Sequence, residues 1–229
     1  MFLVLIIVIG IGSWLVQRNL KKKFKKYSQV GLNIGLTGRE IAELMLRDNQ
    51  IHDVKVVSVQ GRLTDHYNPA DKTVNLSPEI YEGRSVMSAA VAAHECGHAV
   101  QHAKAYGPLK MRSALVPIQN ASGRIINIIF MVMLFGSFAI TQFDLFTMGL
   151  PIVIACYFIF TLFAFITLPV EYDATNRALA WINDRNIVTP DEHGMAEDAL
   201  NAASRTYLVA ALGSLAMLLY YVLMFVNND

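Results

Sequence analysis

Residues 92–103 read AAHECGHAVQHA, which sets His94, His98 and His102 four positions apart and places Glu95 directly behind the first. What the stretch means depends on whether it is one helix. Val91, Ala92, Ala93, Gly97, Ala99 and Val100 are small or apolar, so a helix here can sit deep and let other segments come close. Ser85 stands where a cap is needed, and the helix is expected to run to about Lys104 and to stop at Gly107-Pro108. On that helix His94 and His98 share a face one turn apart, and both can aim a ring nitrogen at one ion about 2 Å away. Glu95 then lies beside the open coordination position, where a carboxylate can take a proton from an activated water and pass it to a leaving amine. This is the His-Glu-x-x-His pattern of zinc peptidases. The plain alternative is a solvated polar stripe, and by composition the pattern arises by chance on the order of once in a hundred chains of this size. A third ligand therefore decides the matter.

His102 is not that ligand. A continuous helix rises about 12 Å over eight residues, too far for His94 and His102 to share one tetrahedral ion. No glycine breaks the helix between His98 and His102, so His102 is read as a surface or supporting residue. Glu171, in LPVEYDATNRALAW, is the better candidate. It follows a charge-free run, where an unpartnered carboxylate is costly. A helix starting at Glu171, just past Pro169, would turn it toward His94 and His98 while Ala174, Ala178 and Leu179 pack. The bland reading is a glutamate favoured at a helix start.

The rest of the chain supplies the setting. Of its 229 residues 54% are hydrophobic, above the usual share in a soluble domain. Met148–Val170 and Tyr207–Val226 carry no charged side chain and match the roughly 20 residues of a bilayer crossing; Ile125–Ile140 is shorter and needs flanking polar residues at the interfaces. Met1–Val16 is followed, not preceded, by its positive residues, and reads as a retained anchor instead of a cleaved signal. All 19 Lys and Arg lie between Arg18 and Arg124 or between Arg177 and Arg205. With positive charge kept inside, both termini are outside and four crossings result. An even number of crossings separates His98 from Glu171, which returns both to one side. Lys21, Lys22, Lys23, Lys25 and Lys26 are a topology signal against anionic lipid, and their attachment to an apolar anchor argues against nucleic acid. Cys96 and Cys156 are the only cysteines, so no disulfide framework is implied.

Within the first charged block, Thr37-Gly-Arg-Glu40 is a capping box opening an amphipathic helix to about Asp48. The runs Val54–Gln60, Arg62–Tyr67 and Thr73–Leu76, separated by Gly61 and Asn68-Pro69-Ala70-Asp71, predict a small antiparallel sheet. Ser77-Pro78 begins a helical turn. An exposed edge near Thr73–Leu76 is expected to accept an extended substrate.

LTDHYNP (Leu63–Pro69), SVMSAAVAAHECGHAVQ (Ser85–Gln101), LPVEYDATNRAL (Leu168–Leu179) and AASRTYLVAA (Ala202–Ala211), taken in order, resemble the bacterial membrane-bound neutral zinc metallopeptidases, the YugP-like family. The resemblance spans nearly the whole chain and implies a zinc-dependent peptidase. A more distant likeness is to membrane gluzincins, in which Glu-x-x-x-Asp supplies the third ligand. Glu171 matches that glutamate, whereas Thr175 replaces the aspartate; Asp173 is the suggested substitute for orienting a ligating histidine.

The expected molecule is an α+β membrane protein with about four transmembrane helices and a cytoplasmic zincin-like domain. Its parts are an anchor (1–17), the zincin-like domain with the His-Glu-x-x-His helix (18–124), a transmembrane hairpin (125–170), a cytoplasmic helical segment bearing the third ligand (171–206), and a last transmembrane helix (207–226). One Zn²⁺ is held by His94, His98 and Glu171, with Glu95 as base and then acid. The partners expected are the lipid bilayer and a peptide or membrane-protein substrate, in the plasma membrane of a bacterium with the site facing the cytoplasm. His66 and Tyr207 are candidates for stabilising the oxyanion, against the simpler roles of turn residue and interfacial aromatic. Two other readings remain: an intramembrane zinc protease, and a zinc-stabilised membrane scaffold without turnover, which a fourth protein ligand would favour.

Overall fold

The computed structural model describes residues 2–139 and 145–227, with side chains except at 134–139 and 145–148. Residues 140–144, inside the expected transmembrane hairpin, lie outside the described residues. The elements in order are α1 (Phe2–Tyr27), α2 (Gly38–Asp48), β1 (Lys55–Ser58), β2 (His66–Asn68), β3 (Thr73–Leu76), α3 (Pro78–Tyr81), α4 (Val86–Ala103), α5 (Gly107–Ala139), α6 (Leu145–Asp184) and α7 (Pro190–Asn227).

The chain forms two compact units, one of Met1–Trp14, Met111–Leu168 and Tyr207–Asp229, the other of Leu15–Lys110 and Pro169–Thr206. The first is helical and displays apolar side chains on its surface, such as Phe130 at 63% exposed and Leu223 at 54%. In water that surface would drive aggregation; against hydrocarbon it costs nothing. Helices α1, α5, α6 and α7 are each long and apolar enough to cross a membrane.

The second unit has a core of its own, built around α4. Ala89, Ala90, Ala92, Ala93 and Cys96 are fully buried, together with Ile41 of α2, Val74 and Leu76 of β3, Ile80 of α3, and Ala178 and Ile182 of α6. Emptying one such site, as in Ile41→Ala, costs about 2–5 kcal/mol in a packed core. The local signals that set these elements act as the sequence predicts. Thr37 and Glu40 form a reciprocal capping box for α2, and the Ser85 hydroxyl accepts from the Ser88 N–H to open α4.

Three expectations are corrected. The sheet is mixed, not antiparallel: β3 lies between β1 and β2, parallel to β1 (Lys55 beside Thr73 through Ser58 beside Leu76) and antiparallel to β2 (His66 beside Asn75). The Asn68–Asp71 turn makes the β2–β3 hairpin, but Gly61 does not make another. Instead the chain crosses after β1, and the most buried strand, β3, takes the centre. Because both edges of β3 are paired, the free edges among the described residues belong to β1 and β2. The second correction concerns Glu171, which does not start a helix; α6 runs straight through Pro169. Proline removes one backbone donor there, a loss long apolar helices tolerate when neighbouring groups compensate. The third concerns α4. It ends at Ala103 with Lys104 as its cap, as expected, but Ala105 turns the chain there with φ of 53°, and Gly107-Pro108 instead open α5.

Candidate metal centre

The four-residue spacing on α4 puts the rings of His94 and His98 edge to face, with centroids 4.9 Å apart and planes at 83°. Seventy residues further on, α6 crosses α4. The crossing is close because Gly97 has no side chain: a Cβ there would stand 2.7 Å from the Ala174 carbonyl oxygen. Glu171, one turn before Ala174 on α6, thereby comes over the two rings. Its Oε2 lies 3.4 Å from His94 Nε2 and 3.7 Å from His98 Nε2, and one donor atom from each of the three side chains falls within 4.8 Å of the others.

The far side of each ring is engaged as well. His98 Nδ1 lies 3.0 Å from Gln101 Oε1. The Gln101 amide nitrogen donates to the Val170 carbonyl (2.8 Å) and to Asp173 Oδ2 (2.7 Å), so its oxygen is left to accept and His98 Nδ1 carries the proton. With Nδ1 so engaged, Nε2 is the nitrogen turned toward Glu171 and the space beside it. Gln101 is fully buried, and Asp173 is in turn clamped by Arg177 through bonds of 2.6 and 3.2 Å. His94 Nδ1 meets Thr175 Oγ1 at 3.2 Å. Thr175, which sequence comparison treats as a lost aspartate, is therefore the residue facing the first histidine. Asp173 acts one step removed, through Gln101. Gln101 is not among the expected site residues, yet it stands one turn after His98 on the same helix, where a side chain can reach the ring.

Charges in the site oppose one another. Burial alone would raise the Glu171 carboxyl, but the facing imidazoles outweigh it and hold it below the usual carboxylate range. Glu95, also buried, is pushed up by desolvation; His94 and His98 pull it partly back, while Glu171 and Asp65 push it further. Asp65 lies before β2, where it accepts from the backbone N–H (2.7 Å) and the hydroxyl (3.0 Å) of Ser77. It pins the start of β2 to the start of α3.

The remaining candidates lie as follows. His66 is exposed on β2, with Nδ1 2.7 Å from the Thr64 carbonyl. Tyr207 is on α7, in the other compact unit. His102 Nδ1 meets the Tyr67 hydroxyl at 2.7 Å and takes no part in the three-residue cluster.

Two imidazole nitrogens and a carboxylate oxygen, converging from two helices with both rings presenting Nε2, are a donor set that suits zinc. The fold and this cluster define a membrane protein with a candidate metal centre on a His-Glu-x-x-His helix. Residues 1–226 match the family described as "putative neutral zinc metallopeptidase", and the chain belongs to that family. It is similar to the "putative membrane protease YugP" of Bacillus subtilis (strain 168), 38% identical over 223 residues that cover 97% of this chain and 95% of that protein. No solved structure matches.

Proposed function

We propose that the protein is a membrane-bound zinc endopeptidase. The observation that carries this reading is the convergence of His94, His98 and Glu171 within 4.8 Å beside the buried Glu95. His94, His98 and Glu171 would hold one zinc ion, with Thr175 and Gln101 fixing the two rings. When bound, the ion would supply Lewis acidity, which brings the pKa of a bound water toward about 7. Glu95 takes the proton of the attacking water onto its carboxylate, an acceptance its desolvated position favours, and delivers it to the departing amine. An extended peptide pairs with a free sheet edge. The β2 edge suits this, since β2 packs on α4 and is fixed at its start by Asp65.

The zincin-like unit facing the cytoplasm of a bacterial cell is supported by the confinement of every Lys and Arg to the stretches 18–124 and 177–205. The coverage of α4 by α2, α3, β2 and β3 favours a protein-enclosed site over a groove sunk in lipid. Three ligands among the described residues leave a coordination place for water, which favours turnover over a purely structural ion.

Glu95→Gln tests the proposal. The variant should bind one equivalent of zinc while peptide cleavage falls by about two to four orders of magnitude, the usual worth of a general base. Loss of zinc along with cleavage would make Glu95 structural, and undiminished cleavage would end the assignment.

A further inference from the structure

The five lysines at the end of α1 are not equivalent in the folded chain. Lys23 is bound to Asp198, and Lys26 lies 5.0 Å over the ring of Tyr27. Lys21 and Lys25, one helical turn apart and both exposed, instead line a cavity of about 440 Å³ together with Phe24, Arg62 and Leu63. Arg62 lies over the buried Phe24 ring, its guanidinium carbon 5.5 Å from the ring centroid and its Nε 3.2 Å from Glu79. The Arg62 side chain is 63% exposed and so open to a second anion. Counting Glu79, the cavity keeps a surplus of positive charge.

Leu63 makes this cavity unlike an ordinary basic patch. It is 42% exposed and its backbone has φ of 60°, a left-handed conformation that L residues adopt at a cost. The loop thus holds a branched apolar side chain open to solvent beside three cations. A free phosphate has no use for such a neighbour, whereas a phospholipid, with phosphate and hydrocarbon on one molecule, satisfies both. Depth along α1 agrees. The apolar run ends at Val16, and at about 1.5 Å per residue Lys21 lies roughly 8 Å and Lys25 roughly 13 Å beyond it. The headgroup layer is about 5–8 Å thick on each face of the bilayer, so Lys21 stands at its outer edge, and Lys25, one turn farther out, meets it only by extending its side chain back toward the membrane.

We propose that Lys21, Lys25 and Arg62 form a binding site for the phosphate of one anionic phospholipid, with Leu63 against its acyl region. The site is separate from the metal centre and does not depend on the peptidase reading. Because Arg62 and Leu63 lead into Asp65 and β2, a bound lipid would steady the loop that enters that strand.

The full chain, purified in detergent micelles, is mixed with phosphatidylglycerol or phosphatidylcholine, and retained lipid is counted by native mass spectrometry. Phosphatidylglycerol should be retained in preference, at one per chain. Lys21→Ala and Lys25→Ala should each weaken retention about fivefold, the value of a basic residue near an anionic surface, and Arg62→Ala at least as much. Lys22→Ala, on the same helix with no place in the cavity, should leave retention unchanged. Equal retention of the two lipids, or a loss with Lys22→Ala as large as with Lys21→Ala, would overturn the site. Displacement of the lipid by millimolar inorganic phosphate would also overturn it, by showing a site for the free anion.

Discussion

Gly97 of α4 and Ala174 of α6 touch backbone to backbone, so closely that a methyl group on Gly97 would meet the Ala174 carbonyl oxygen at 2.7 Å and its Cα at 3.1 Å. Glu171 and Thr175 flank Ala174 on α6, and His94 and His98 flank Gly97 on α4. The contact therefore sets the distance between the two halves of the metal centre. Gly97→Ala should push the helices apart, costing about 1–3 kcal/mol of stability as overpacking does and weakening zinc binding. Thermal unfolding and zinc stoichiometry on the same preparation measure both. A variant with full zinc affinity would show that the crossing does not set the site.

Gln101 receives the proton-bearing nitrogen of His98 while its own amide is held by Val170 and Asp173. Gln101→Leu should lower zinc affinity about 10–100-fold by freeing the ring, with the fold retained because leucine fills a similar volume. Competition with a chelator of known affinity reads this directly. On the His94 side, Thr175→Val should weaken zinc and Thr175→Ser should restore it, since only the hydroxyl faces Nδ1.

His102 and His94 should behave oppositely although they belong to the same run of spaced histidines. His102→Ala removes a partner of Tyr67 and should keep one zinc per chain. His94→Ala should release the ion, as should Glu171→Ala. Metal analysis after gel filtration decides each case, and zinc retained at full stoichiometry without Glu171 would refute its place as ligand.

Zinc removal should destabilise the unit that holds the site. A ligand at about a hundred times its dissociation constant contributes roughly 2.7 kcal/mol, so chelation should lower the unfolding temperature by several degrees. Re-addition of zinc should restore it, and an unchanged transition would mean that the cluster holds no ion.

Asp48 ties α2 to the end of α6, accepting from Arg185 Nε at 2.8 Å and from Trp181 Nε1 at 3.0 Å. The Arg185 hydrogen bond lowers the Asp48 carboxyl against the opposing effect of burial, and the Trp181 bond lowers it further. A carboxylate depressed in the folded state adds stability that is complete above its unfolded value near 3.9 and fades as pH falls through the lower folded value. The pair is solvent-facing, with Arg185 about half exposed, so the contribution is below about 1 kcal/mol. Asp48→Asn should flatten the unfolding profile of the chain below pH 5 and leave peptide cleavage near neutrality intact; an unaltered acid slope would remove Asp48 as its source.

The sequence alone determined what local spacing and composition can fix. His94 and His98 had to share a helical face because four residues make one turn, and Thr37, Glu40 and Ser85 carry the chemistry of helix starts wherever they lie. The four apolar runs were equally plain, since bilayer thickness translates into length. Glu171 was legible as a carboxylate in a costly position. Its approach to the rings, however, depended on Gly97 meeting Ala174 across seventy-seven residues of chain. Only the tertiary structure chose most of the supporting partners: Gln101 faces His98 within α4, but the bonds that hold Gln101 to Val170 and Asp173, and Thr175 to His94, form between α4 and α6 and leave no periodic trace in either. The order of the strands was decided in the same way. Turn residues announce where a chain reverses, but the burial that moved β3 to the middle of the sheet is a property of the assembled core.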